Sequence, residues 1–117
     1  MSKSPILLGL ATIAALVSPA LAQQAPKLYE EMIARQEERQ IIPAPIAGIE
    51  NSLWFDYRIN VMETGKELAS DLRHASDTED LRDAWDEYRI ELAHERRHYV
   101  NKMAKRGYRY GNVIVGD

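Results

Sequence analysis

Two histidines and a glutamate in the stretch LAHERRHYV, residues 92–100, have types and spacing that could hold a metal ion. His94 and His98 stand four residues apart and Glu95 follows the first, which spells the pattern H-E-x-x-H. On a helix this spacing turns both imidazoles to one side, where they can bind one zinc ion, while the glutamate can act as general base on a bound water. His94 and His98 are therefore candidate metal ligands.

The surroundings of the motif argue against a catalytic zinc. The chain resembles zinc metalloproteases over the motif alone, and a catalytic zinc needs three protein ligands and an open position. His74, the remaining histidine, is expected roughly 25 to 30 Å from His94 if the two helices described below fold back on each other. Arg96 and Arg97 also place positive charge inside the motif. We therefore expect no catalytic residues and no protease activity.

A simpler metal site is the alternative. At about 100° per residue, Glu87, Glu91, His94 and His98 fall on one polar stripe of a helix. Glu91 and His94 also resemble the Glu-x-x-His unit of ferritin-like di-iron bundles. A site made of Glu91, His94 and His98, completed by a second copy, would hold zinc or iron. Charged residues at these spacings normally face water. We therefore expect that this stripe binds no cofactor, and the zinc or iron site remains the alternative.

Two long helices must position these side chains. Residues from about 49 to 74 carry apolar or small side chains at spacings of three and four, which is typical of one helical stripe. That stripe consists of Leu53, Tyr57, Val61, Thr64, Leu68 and Leu72. Ser76 and Glu79 form a capping signal for a second helix of about 77–106, and Gly107 suits the position after its end.

The second helix has an apolar seam close to the heptad rhythm of a coiled coil. The seam consists of Leu81, Trp85, Tyr88, Leu92, Tyr99 and Met103. Glu95 occupies the one polar position of the seam, and we expect it to pair with Arg58 or Asn60 of the first long helix. Since only a few residues join the two helices, the sequence predicts an all-α fold built on a long antiparallel helical hairpin.

Weaker signals flank the hairpin. A thin apolar stripe predicts a weaker N-terminal helix over about 27–40, and prolines in IIPAPIAG then end it, so residues 23–48 are interpreted as a short helix and a Pro-rich linker. Residues 107–117 form a C-terminal tail, which is a short strand or a segment that orders against a partner.

The first 22 residues are typical of a signal peptide, with Lys3, an apolar run and the A-x-A sequence Ala20–Ala22. An uncleaved membrane anchor is the alternative, and it would be the protein's contact with the membrane. Either interpretation places the body in the periplasm or on the outer face of the cytoplasmic membrane. Removing the leader leaves 14 basic residues (15 minus Lys3) and 18 acidic ones, a net charge of −4. This charge argues against nucleic-acid binding.

A second apolar patch points to a partner. Phe55, Ile59 and Met62 fall nearly opposite the buried stripe of the first long helix, and Trp54 is grouped with them near the linker. The predicted function is therefore an exported or membrane-tethered accessory, scaffold or assembly factor of the cell envelope, which acts through a protein partner or self-association. The alternative is the divalent-metal-binding helical protein described above.

Overall fold

The computed structural model describes residues 28–111, and within that range it contains three α-helices and no strand. We name them α1 (Tyr29–Glu38), α2 (Ser52–His74) and α3 (Thr78–Lys105). A 3₁₀ turn, Ile46–Gly48, lies between α1 and α2. The all-α prediction is confirmed, and each helix begins and ends within three residues of its predicted bounds. The predicted leader and the last six residues of the tail, 112–117, fall outside the described residues.

Local hydrogen bonds set the helix ends. Asn51 Oδ1 accepts from the Trp54 N–H at 3.0 Å and starts α2. Asp77, not Ser76, caps α3: its Oδ1 accepts from the Asp80 N–H at 2.8 Å, while Ser76 donates its N–H and hydroxyl to Asp80 Oδ2. The predicted capping box is therefore wrong by one residue. These donors from Ser76 lower the pKa of the Asp80 carboxyl. Gly107 follows the end of α3 with a φ of 93°, as predicted.

Direct contacts join α2 to α3. Asn51 Nδ2 donates to Met103 Sδ at 3.5 Å, and the rings of Tyr57 and Tyr99 stack with centroids 4.8 Å apart. Further along, Asn60 Nδ2 donates to Glu95 Oε1 at 2.9 Å, which confirms the predicted pairing of Glu95. No helix within residues 28–111 combines the length and apolar composition needed to cross a membrane.

Trp54 belongs to the core rather than to an exposed patch. Its side chain is 5% exposed, and its ring lies 6.1 Å from that of Tyr57 and 5.8 Å from that of Tyr99. Trp54 and Tyr57 stand three positions apart, so both fall on the buried stripe of α2. The prediction that grouped Trp54 with Phe55, Ile59 and Met62 is corrected accordingly.

The segment between α1 and α2 is packed against both long helices. Ile42 and Ile46 are 2% and 3% exposed. Their backbone N–H groups donate to side chains: Ile42 to Tyr57 Oη at 2.9 Å, and Ile46 to Tyr99 Oη at 3.0 Å. The next residue, Ala47, has a φ of 57°, a left-handed conformation that costs a non-glycine residue roughly 1–2 kcal/mol. The predicted break in helical structure is confirmed, but the segment is a structural part of the core.

Charged and aromatic contacts hold α1 against α3. Ala34 is fully buried, and the guanidinium of Arg35 lies 4.6 Å from the centre of the Trp85 ring. The Tyr88 hydroxyl donates to Glu38 Oε2 at 2.6 Å. Arg96 Nε donates to Glu37 Oε2 at 3.0 Å. One arginine of the H-E-x-x-H motif therefore attaches α1 to the rest of the fold.

Replacing Tyr99 with Phe should destabilise the protein by about 1–3 kcal/mol, because the buried Ile46 N–H would lose its acceptor. Chemical denaturation followed by circular dichroism would measure the change in free energy of unfolding. Tyr29→Phe is the matched control, since the Tyr29 side chain is 67% exposed. Equal stability of the Tyr99→Phe variant and the control would contradict the role given to this hydrogen bond.

Candidate functional site

Carboxylates line an open groove between α2 and α3. Its deeper part is lined by Glu67 and Asp71 from α2, by Glu87 and Glu91 from α3, and by the side chains of Thr64, Leu68, Ala84 and Tyr88. Towards the turn between the helices, Asp80 and Asp83 join the lining. We call this surface the acidic groove and define it by six carboxylates: Glu67, Asp71, Asp80, Asp83, Glu87 and Glu91. Neither described lining contains a lysine or arginine.

Three of these carboxylates come close enough to share a cation. One oxygen each from Glu67, Glu87 and Glu91 lies within 4.8 Å of the others. Among residues 28–111, no other set of three potential His, Cys, Asp or Glu ligands comes this close. Oxygen ligands suit hard divalent cations such as Ca²⁺, Mg²⁺ and Mn²⁺ better than they suit zinc.

The two predicted histidine ligands lie apart from this cluster. His94 and His98 are exposed, and their rings stand 6.3 Å apart at an interplanar angle of 25°. Of the predicted set Glu91, His94 and His98, only Glu91 therefore joins the three-carboxylate group. On α2, the carboxylate of Glu67 lies beside Glu91, whereas Asp56 and Asn60 line the depression near His98 without forming a close group of three ligands there.

The other side chains of the H-E-x-x-H motif have separate contacts. Glu95 accepts a hydrogen bond from Asn60, and Arg96 pairs with Glu37 of α1. His98 lines a second depression with Asp56, Asn60 and Glu95. The motif residues therefore serve the packing of the helices or face solvent, which is not the convergent arrangement that a catalytic zinc requires.

The acidic groove raises the pKa of the Glu87 carboxyl. Loss of hydration contributes most, followed by the negative charge of Glu67 and a side-chain hydrogen bond with it, and then by the charges of Asp71 and Glu91. A hydrogen bond between two carboxyl groups requires a proton on one of them. The groove therefore disfavours the ionised state of Glu87.

A different surface lies on the outer side of α2. Phe55, Ile59 and Met62 are 45%, 52% and 57% exposed, as the predicted second apolar patch requires. At about 100° per residue, three exposed cations share that sector of the helix: Arg58, Lys66 and Arg73. We call these six residues the α2 outer face. The carboxylates of α2, Asp56, Glu63, Glu67 and Asp71, fall outside the sector and towards the groove side.

Replacing Glu87 with Gln should stabilise the protein at neutral pH. A carboxyl whose pKa is higher in the folded than in the unfolded state binds a proton more tightly when folded, so stability falls as pH rises from about 4.5 through the folded pKa. The neutral amide of the Glu87→Gln variant should lack this loss. Melting temperature as a function of pH would measure it, with exposed Glu50→Gln as control. A variant whose pH profile matched the wild type would contradict this account.

Comparisons with known proteins give no relative from which a role could be transferred. No protein-family model, curated protein or solved structure matches this chain. A function for the chain must therefore be inferred from the acidic groove and the α2 outer face.

Proposed function

We propose that this protein works through protein contacts made by the α2 outer face, as an accessory, scaffold or assembly factor of the cell envelope. The observation that carries the proposal is the exposure of Phe55, Ile59 and Met62 on one stripe of α2. Its location in the envelope rests on the leader-like sequence of residues 1–22. Self-association or a different protein partner would both use this surface.

The fold of the chain does not itself need these three side chains. The buried residues of α2 are Trp54, Tyr57, Thr64 and Leu68, which face the rest of the protein. Fully burying a large apolar side chain contributes about 1.5–3 kcal/mol, so three half-exposed ones could add roughly 3 kcal/mol to an association. This is enough to orient a partner, while the surrounding cations supply further contacts.

The proposal includes the predicted antiparallel hairpin. Contacts of Asn51 with Met103 and of Asn60 with Glu95 support it, since they pair the start of α2 with the end of α3. In this arrangement α3 and α1 cover the inner side of α2. The outer face of α2 then stays free over about 27 Å, from Phe55 to Arg73.

The alternative function, divalent-metal binding, is supported by the approach of Glu67, Glu87 and Glu91. The sequence alone predicted Glu91, His94 and His98 as ligands of zinc or iron. In the form that the carboxylate positions favour, the cation is Ca²⁺, Mg²⁺ or Mn²⁺ and the histidines are not ligands. Such a cation would neutralise the groove and hold α2 against α3.

Replacing Phe55 with Asp should weaken a complex or oligomer by about tenfold or more while leaving the fold intact. The new carboxylate would sit in the first turns of α2, where negative charge is favourable for the helix dipole. Sedimentation velocity would measure assembly, and circular dichroism would check the fold. Met32→Asp, at a 42% exposed position on α1, is the matched control. Equal assembly of the Phe55→Asp variant and the wild type would remove the basis of the proposal.

Metal binding makes a separate prediction. Adding Ca²⁺ or Mn²⁺ to chelator-treated protein should raise the melting temperature, and Glu87→Gln should abolish that rise while His94→Ala with His98→Ala preserves it. Zinc or iron that the two histidine substitutions remove, as measured by metal analysis, would instead support the histidine-containing ligand set. A melting temperature that no divalent cation changes would rule out both forms.

A further inference from the structure

The two surfaces described above carry opposite charges and lie on different sides of the same pair of helices. The α2 outer face contains three cations and no carboxylate in its sector. The acidic groove contains six carboxylates and no lysine or arginine in its described lining. Each copy of the protein therefore presents both a cationic, partly apolar ridge, which is the α2 outer face, and an anionic groove, which is the acidic groove.

We propose that the α2 outer face of one copy docks into the acidic groove of a second copy. This inference rests on the proposed function, because it names the partner of the α2 outer face as the same protein. Phe55, Ile59 and Met62 would lie over the rim of the groove, because the side chains of Leu68, Ala84 and Tyr88 at its floor are buried. Arg58, Lys66 and Arg73 would lie beside the carboxylates.

The spacing of the charges suits this contact. Along a helix, Arg58 and Lys66 are about 12 Å apart, and Lys66 and Arg73 about 10.5 Å apart. The groove carboxylates on α3 extend from Asp80 to Glu91, a length of about 17 Å. Two cations of the ridge can therefore meet the groove at the same time.

The central cation of the ridge is free to change its partner. Lys66 Nζ lies 3.7 Å from Glu63 Oε1 within its own helix, and both side chains are largely exposed. An exposed pair of this kind stabilises a helix only weakly. Between Glu67 and Glu87 of a second copy, the same ammonium would offset the repulsion that the groove otherwise contains.

A second copy would cover both surfaces, whereas each of the other candidate occupants would cover only one kind of surface. An anionic lipid surface would attract Arg58, Lys66 and Arg73, but it would leave the acidic groove unneutralised. A pairing of two α2 outer faces would bring like charges together and would also leave the groove empty. Charge complementarity therefore favours the ridge-to-groove contact between copies.

This contact joins two different surfaces, so each added copy offers a new ridge or a new groove. Such heterologous contacts build open chains of copies unless the rotation between them closes a ring. One helix face gives a contact at the small end of the usual range of interface areas, so association should be weak and concentration-dependent. Because the charges are partly exposed, salt should weaken it further.

Complementary variants give the sharpest test. The ridge variant carries Arg58→Gln with Lys66→Gln, and the groove variant carries Glu67→Lys with Glu87→Lys. In sedimentation velocity, the wild type should form species larger than a dimer as concentration rises, and each variant alone should stay monomeric. An equimolar mixture should form a 1:1 dimer and stop there, because the intact groove of one variant takes the intact ridge of the other. Lys102→Glu, outside both surfaces, should assemble like the wild type.

Other outcomes would overturn the inference. Loss of assembly in the ridge variant and in Phe55→Asp, with full assembly of the groove variant, would leave the proposed function standing and refute docking into the groove. A wild type that stays monomeric at every concentration, or that binds phosphatidylglycerol vesicles without self-assembly, would also refute it. Thermal unfolding by circular dichroism checks each fold, and Glu67→Gln with Glu87→Gln replaces the groove variant if the lysines prevent folding.

Discussion

The fold depends on two tyrosine hydroxyls that accept hydrogen bonds from buried backbone. Ile42 and Ile46 lie in the core, where an N–H group without an acceptor would be strongly unfavourable. Tyr57 and Tyr99 supply the acceptors from α2 and α3, and their own rings stack on each other. The segment that enters α2 is thereby attached to both long helices. Its position then fixes where α1 can lie, which no preference within the short α1 helix could do.

The placement of α1 determines which side of the long helices stays open. On one side, α1 packs against α3 through the buried side chain of Ala34 and through the hydrogen bonds of Glu37 and Glu38. On the other side no described element covers the junction of α2 and α3, and there the carboxylates of Glu67 and Glu87 meet. The acidic groove is therefore the uncovered half of the helix interface. Its charges remain partly hydrated because they do not lie beneath a third helix.

The sequence predicts most of the fold and part of the site. Helix bounds and the exposed residues of α2 follow from periodicity and capping, which are local, and the seam position of Glu95 narrows its partner to Arg58 or Asn60. Glu67 could have been found as well. In the antiparallel hairpin that the sequence predicts, moving seven residues along α2 from Asn60 and seven back along α3 from Glu95 reaches Glu67 and Tyr88, next to Glu87. The hydrogen bonds from the linker to Tyr57 and Tyr99 could not have been predicted, because a proline-rich pattern carries no information about long-range acceptors.

The three surfaces of α2 connect the proposals. One sector is buried, one carries carboxylates towards the groove, and one carries apolar and basic side chains outward. Loss of hydration and the neighbouring charges of Glu67 and Glu91 raise the pKa of Glu87, and this works against folding at neutral pH. Any positive charge that enters the groove offsets this penalty, whether it belongs to a divalent cation or to Lys66 of another copy. The two occupants need the same carboxylate oxygens, so each would exclude the other, and the metal would oppose assembly rather than support it.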